Sequence, residues 1–154
     1  MFTYPEADVE TKMEHWKASE QDYWIDDVNS ALYNRWVTGN RDPNLDNISR
    51  EEMKRPDDLY KYGVAVQYNM DQVKGMGSVI VFHVKGNSKK PTLGCVKIDE
   101  PQLIDIIGWL DPEKKPIIIM GTTEELVTRM VSENGLSEND KYVWKKEKWP
   151  PPAK

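Results

Sequence analysis

Two side chains in this sequence have the types and spacing for acyl transfer. His83 lies in the run Val79-Ile80-Val81-Phe82-His83-Val84, and Cys95, the single cysteine, follows twelve residues later in Pro91-Thr92-Leu93-Gly94-Cys95-Val96. A thiol attacks a carbonyl as its thiolate, and with a pKa of about 8.5 it is mostly protonated at neutral pH, so a neighbouring imidazole is the usual base. Glycine before the cysteine lets the main chain come close to a substrate carbonyl, which makes the Gly94 and Cys95 amides candidate oxyanion donors. Without their surroundings the same two residues also fit an inert buried thiol and a hydrogen-bonded core histidine, because free cysteine is among the most buried residue types.

For the pair to meet, a strand has to deliver His83 and a turn has to return Cys95. Alternation puts Val79, Val81 and His83 on one face of a strand Ser78–Val84 and Ile80, Phe82 and Val84 on the other. Both faces are apolar, which predicts an internal strand. Tyr62–Tyr68 reads as the strand before it, with Gly75-Met76-Gly77 as the intervening turn. Residues 1–20 show no clear period, Asp22–Val37 reads as an irregular segment anchored by aromatics, and Gly39–Asn47 is a loop. Ser49 followed by Glu52 is a capping-box pattern, which predicts a short helix Ser49–Lys54 stopped by Pro56.

Downstream of Cys95, a helix opens at Asp99 or Glu100 with Pro101 in its first turn. Leu103, Ile104, Ile106, Ile107 and Leu110 form its core face, and Asp111-Pro112 ends it. Ile117–Met120 fits an inner strand. Thr122 or Thr123 caps a second helix with Leu126, Val127, Met130 and Val131 on one face and Gly135 as its stop. Ser137–Lys154 reads as a docked strand and a loose tail. The fold class expected from these elements is mainly β with helices, α+β.

Composition narrows the function. A length of 154 residues fits one domain, and no stretch approaches the roughly 20 apolar residues of a membrane span. Residues 1–20 carry Glu6, Asp8, Glu10, Glu14 and Glu20 with no apolar core, so no secretory signal is read there. One cysteine excludes an internal disulfide and a multi-cysteine metal site. A net charge of −5 argues against nucleic acid as a partner. Lys85, Lys89, Lys90 and Lys97 bracket the His-to-Cys loop, and no acid lies between His83 and Ile98. They are either a solvated loop or a local positive field that favours the thiolate and draws in carboxylates.

The motif residues are His83, Thr92, Leu93, Gly94 and Cys95, within a Gly77-Ser78-x-Ile80-x-x-His83 strand and a Pro91-Thr92-x-Gly94-Cys95-Val96 turn. Trp24-Ile25-Asp26-Asp27, Ser30, Tyr33-Asn34, Arg55, Asp58-Leu59-Tyr60 and Tyr68-Asn69 extend the pattern upstream; Trp109-Leu110-Asp111-Pro112 and Pro116–Ile119 extend it downstream. Over about residues 11–121 this resembles the catalytic domain of the L,D-transpeptidase (YkuD-type) family of bacterial peptidoglycan enzymes, in the branch with a short His-to-Cys loop. The resemblance implies a catalytic domain over residues 1–121, with 122–154 as a C-terminal helix and Pro-rich tail packed on it. It implies a β-sandwich in which Cys95 is the nucleophile and His83 the general base. The partner would be the tetrapeptide stem of peptidoglycan, the place of action the cell envelope, and no metal or organic cofactor would be needed.

Thr92 matches the motif's Ser/Thr and would bond to substrate or hold the turn. Tyr68 and Asn69 would line the groove or form a turn. Lys97 stands where the larger family has Arg and offers a point charge in place of a bidentate fork. Trp24, Asp26 and Asp27 read as a loop clamp. The family's glycine-rich strands normally precede the Trp-x-Asp-Asp segment. The expectation is therefore a sandwich lacking its first strands, with a bared sheet edge open to self-association. Three alternatives stay open: L,D-carboxypeptidase activity with water as acceptor, a non-catalytic peptidoglycan-binding remnant, and a protein in which Cys95 is inert.

Overall fold

Short strands build two sheets in the computed structural model, which describes residues 1–39, 47–87 and 90–136. In chain order they are Phe2–Thr3 (β1), Trp16–Lys17 (β2), Asp22–Ile25 (β3), Trp36–Thr38 (β4), Arg50–Glu52 (β5), Tyr62–Ala65 (β6), Val81–Val84 (β7) and Val96–Ile98 (β8), followed by helices Glu100–Trp109 (α1) and Glu124–Glu133 (α2). One sheet has the order β2-β1-β6-β7-β8, and the other has β4-β3-β5. The architecture is mainly β, two sheets with two helices. The chain divides into two compact units, Met1–Pro116 and Ile117–Lys154; both sheets and α1 belong to the first, and α2 to the second.

Aromatic side chains join the two sheets. Phe2 of β1 meets Trp36 of β4 edge-on at 5.3 Å between ring centroids and Tyr60 at 6.1 Å, while Trp24 of β3 tilts against Trp36 at 6.1 Å. Each such pair adds about 1 kcal/mol beyond the area it buries. Helix α1 follows the sequence pattern: Pro101 occupies its first turn and Leu103, Ile106 and Ile107 are buried, against β6 and β7. In the second unit, Thr123 caps α2 by accepting from the Leu126 amide, and Val131 is its buried residue.

Several elements differ from the sequence reading, each for a physical reason. Asp22–Val37 is a strand pair, with Asp22↔Thr38, Tyr23↔Val37 and Trp24↔Trp36 in register. The Asp22 carboxylate stitches it by accepting from Trp36 Nε1 and Thr38 Oγ1. Ser49–Lys54 contains strand β5 in place of a helix. Nucleating so short a helix is costly, and pairing with β3 (Trp24↔Glu51) supplies ladder bonds while burying Met53 completely. Two strands, β1 and β2, occur in residues 1–20, where no period was legible.

The strand expected at Ser78–Val84 starts only at Val81, because Val79 has φ +53°. The one expected at Tyr62–Tyr68 ends at Ala65. Ile117–Met120 forms no strand, and Ile117 and Met120 are exposed. The expected loop lies mostly outside the described residues, at 40–46, as do the strand and tail expected at 137–154.

Candidate functional site

Strands β7 and β8 run side by side in parallel, with Phe82↔Val96 and His83↔Lys97 in register. Cys95 stands one residue before β8, so extending that register sets it level with Val81, on the face that carries His83. The row Val79, Val81, His83 is buried throughout, His83 at 4 % exposure. Cys95 is half-buried at the mouth of the turn, and Leu93, two residues before it, is fully exposed.

Gly94 makes that turn possible. Its φ is +135°, outside the range of L side chains, and an added Cβ would press to 3.0 Å on Ile80 Cδ1. Thr92 Oγ1 donates to the Cys95 carbonyl and closes the turn. Both residues therefore set the position of the sulfur through the backbone.

The sulfur has one hydrogen-bond partner among the described residues: its S–H donates to the Val79 carbonyl at 3.3 Å. The Val79 carbonyl is held in a strained place: a β-branched residue at φ +53° is a true outlier. The buried Asn34 holds it there. Asn34 Oδ1 accepts from the Val79 amide at 3.0 Å, and its Nδ2 donates to the carbonyls of Tyr68 and Asn69 at 2.9 Å each.

Burial pushes the Cys95 thiol above its ordinary pKa. The Val81 backbone, the Tyr60 hydroxyl and the Arg55 charge oppose that rise, and the Glu51 charge adds to it. Burial likewise pushes the His83 imidazole down, against the backbone groups of Val84 and Leu59 and with the Lys97 and Arg55 charges. The resting pair is thus a neutral thiol and a neutral imidazole. The lysine-rich loop does not set a standing thiolate, because desolvation outweighs it. Lys85 is paired with Asp99 at 3.6 Å, Lys97 Nζ donates to the Lys90 carbonyl, and Lys89 lies outside the described residues.

His83 Nδ1 lies 2.7 Å from the Val84 carbonyl. A carbonyl only accepts, so Nδ1 carries the proton and Nε2 keeps its lone pair. That is the tautomer a general base needs. Tyr60 packs its ring edge-on to His83 at 5.2 Å.

Beyond Tyr60 lies an ionic cluster. Glu51 Oε2 is 3.4 Å from the Tyr60 hydroxyl and 3.1 Å from Arg55 Nη1. Arg55 also grips Asp57 through Nε at 2.9 Å and Nη2 at 2.8 Å, with its guanidinium 5.3 Å from the Tyr60 ring centre. Sequence reasoning gave no role to Tyr60, Arg55 or Glu51. The first two stood among the residues of the resemblance, and that was the available signal.

Tyr68 and Asn69 connect to the site through their carbonyls, which accept from Asn34, while their side chains serve their own turn. The Tyr68 hydroxyl donates to the Met76 carbonyl, and the Asn69 amide donates to the carbonyls of Val73 and Gly77 and accepts from the Val73 amide. In the Trp24–Asp27 segment, the Asp26 and Asp27 amides donate to the Ser49 carbonyl. Trp24 Nε1 and Asp26 Oδ1 are buried with no hydrogen-bond partner among the described residues.

Among the described residues no three His, Cys, Asp or Glu side chains are grouped to hold a metal ion, and no helix is long and apolar enough to cross a membrane. Compared with known proteins, the chain matches no family model, no curated sequence and no solved structure.

Proposed function

We propose that this protein is a cysteine acyltransferase of the L,D-transpeptidase type, acting on peptidoglycan tetrapeptide stems in the cell envelope. The observation that carries the reading is the pairing of a His83 tautomer that leaves Nε2 its lone pair with a Cys95 thiol on the same sheet face, beside an exposed turn. The resemblance of the His83 strand and the Thr92–Cys95 turn to that family supplies the substrate class.

In the proposed reaction, Cys95 sulfur attacks the carbonyl of the third stem residue as its proton passes to His83 Nε2. The amides of Gly94 and Cys95 face the developing oxyanion. The tetrahedral adduct collapses, His83 returns the proton to the departing amine of D-alanine, and a thioester remains. An acceptor amine, or water, then attacks the thioester with His83 as base, and the thiol is restored. An amine yields a cross-link; water yields carboxypeptidase activity. A neutral resting pair suits this order, because the thiol proton moves during attack.

The test is release of D-alanine from tetrapeptide muropeptides. Wild type should release it and Cys95→Ala should not; equal release by the two ends the proposal. The remaining reading, a stem-binding protein without turnover, would show muropeptide binding by both and release by neither.

A further inference from the structure

The Cys95 thiol has one proton, and at rest it is given to the Val79 carbonyl at 3.3 Å. The proposed reaction needs that proton at His83 Nε2, so the S–H must first leave Val79. The carbonyl is aimed at the sulfur by a backbone conformation that valine resists, φ +53°. Strand pairing resumes at the next residue, where the Ile80 carbonyl accepts from the Val66 amide at 2.9 Å. Relaxed to the extended geometry its β-branched side chain favours, Val79 would lengthen β7 and carry its carbonyl off the sulfur.

Asn34 opposes that relaxation. Its Oδ1 accepts from the Val79 amide at 3.0 Å, while its Nδ2 donates to the Tyr68 and Asn69 carbonyls. The residue is 5 % exposed, and its own amide donates to the Ile25 carbonyl at 2.8 Å, which mounts it on the β3–β4 pair. Gln72 ties the same loop to that turn, donating to the Tyr33 carbonyl and accepting from Arg35 Nη2. Three neutral hydrogen bonds and the strain of one β-branched residue are of comparable size, so Val79 is held close to the point of release.

We propose that Asn34 is the positioning residue of the nucleophile: through the Val79 carbonyl it latches the S–H proton away from His83, and Val79 returning to extended backbone opens the latch. This rests on Cys95 being the nucleophile and adds what keeps it idle until the proton is needed. The latch also brings the loop Tyr68–Gly77 into the site, because the Tyr68 and Asn69 carbonyls share the side-chain amide that fixes Val79. Glu51, Arg55 and Tyr60 are the titratable groups that bear on the sulfur, with His83 on β7 and Lys97 on β8 alongside. The substitutions below touch none of them.

The experiment is Cys95 alkylation by iodoacetamide from pH 6 to 10 in the full chain, as a double-substitution cycle of Asn34→Ala and Val79→Gly. Asn34→Ala lets the carbonyl turn away, and the sulfur loses an acceptor that favours its protonated form. The midpoint should fall by about one unit and alkylation at pH 8 should quicken about tenfold. Glycine adopts φ +53° without strain, so in Val79→Gly nothing drives the carbonyl away. Adding Asn34→Ala to that chain should quicken alkylation only about twofold. The unequal effect is the signature, because packing loosened by the loss of Asn34 would multiply the rate equally in both backgrounds. Should the double variant misfold, Asn34→Ala alone decides: an opened latch moves the midpoint, whereas loosened packing raises the high-pH plateau and leaves the midpoint in place.

Equal acceleration in both backgrounds overturns the inference, as does an Asn34→Ala midpoint matching wild type. Unequal acceleration without D-alanine release would support the latch while removing the acyl-transfer reading. Equal acceleration would remove the latch even where D-alanine is released.

Discussion

Asp22 and Cys95 are two ionisable groups set into neighbouring sheets, and the surrounding chain treats them in opposite ways. Burial alone would lift the Asp22 carboxyl, but bonds from Thr38, from the Ser19 side chain and backbone and from Trp36 outweigh it and hold the group below its ordinary pKa. It is a permanent anion that ties β3 to β4. At Cys95 and His83 burial outweighs the groups that favour the charged form, so both rest neutral. A charge that is fully solvated by its neighbours is a fastener, and one that is under-solvated can exchange a proton.

The comparison breaks first under substitution. Asp22→Ala leaves the Ser19 amide, Trp36 Nε1 and Thr38 Oγ1 without their acceptor and should cost about 3–4 kcal/mol in urea unfolding. Cys95→Ala, which removes one half-buried thiol, should cost about 1 kcal/mol while abolishing activity. Equal costs would show that Cys95 is a fastener as well. Asn34→Ala comes next, at about 2–3 kcal/mol, because three carbonyl or amide partners lose their bonds. It should also speed Cys95 alkylation, since the strained Val79 carbonyl is freed to turn away; unchanged alkylation would detach Asn34 from the site.

The two centres should also fail at different pH. The imidazole of His83 is lowered in the folded state, and so is that of His15. The unfolded chain therefore takes up more protons, and the contribution of the two imidazoles is complete above about pH 6.5 and falls as pH drops through that value; the Met1 amine, also lowered by burial, begins to lose its contribution at about pH 8. Asp22 has the depressed carboxylate sign, and its contribution is lost only below about pH 4. The drop in urea midpoint between pH 7.5 and 5.5 should be smaller in His83→Gln than in wild type, with His15 and the Met1 amine supplying the rest. An undiminished drop would show that His83 is not held neutral. The smallest effect belongs to Thr92→Val, where loss of the bond to the Cys95 carbonyl should cost about 1 kcal/mol. It should lower kcat more than stability, and an unchanged kcat would reduce Thr92 to a turn residue.

The His83 strand and both helices were legible because each rests on local pattern: alternation in Val79–His83, Pro101 in the first turn of α1, Thr123 ahead of α2. The pair β3 and β4 was hidden because Asp22 opens its first strand and Asp26 and Asp27 follow it, while the bonds of Asp22 are made across the pair. Strand β5 was hidden by Ser49 and Glu52, whose helix signal is weaker than pairing with β3. At the site, His83, Cys95, Gly94 and Thr92 stood out by residue type and spacing. Tyr60 and Glu51 come from separate segments, and only tertiary packing brings them together and sets Tyr60 against His83. The turn at Val79 was concealed because Val-Ile-Val reads as continuous strand.

Gly63 stands opposite His83 in the β6–β7 register, and the Phe2 ring lies flat against it, so that an added Cβ would fall 2.2 Å from Phe2 Cζ. One methyl group at that position should evict β1 from the sheet and unsettle His83 across the strand. In a saturation library read out by deep sequencing, codon 63 should stay almost monomorphic, whereas codon 93, at the bare tip of the turn, should admit nearly every amino acid.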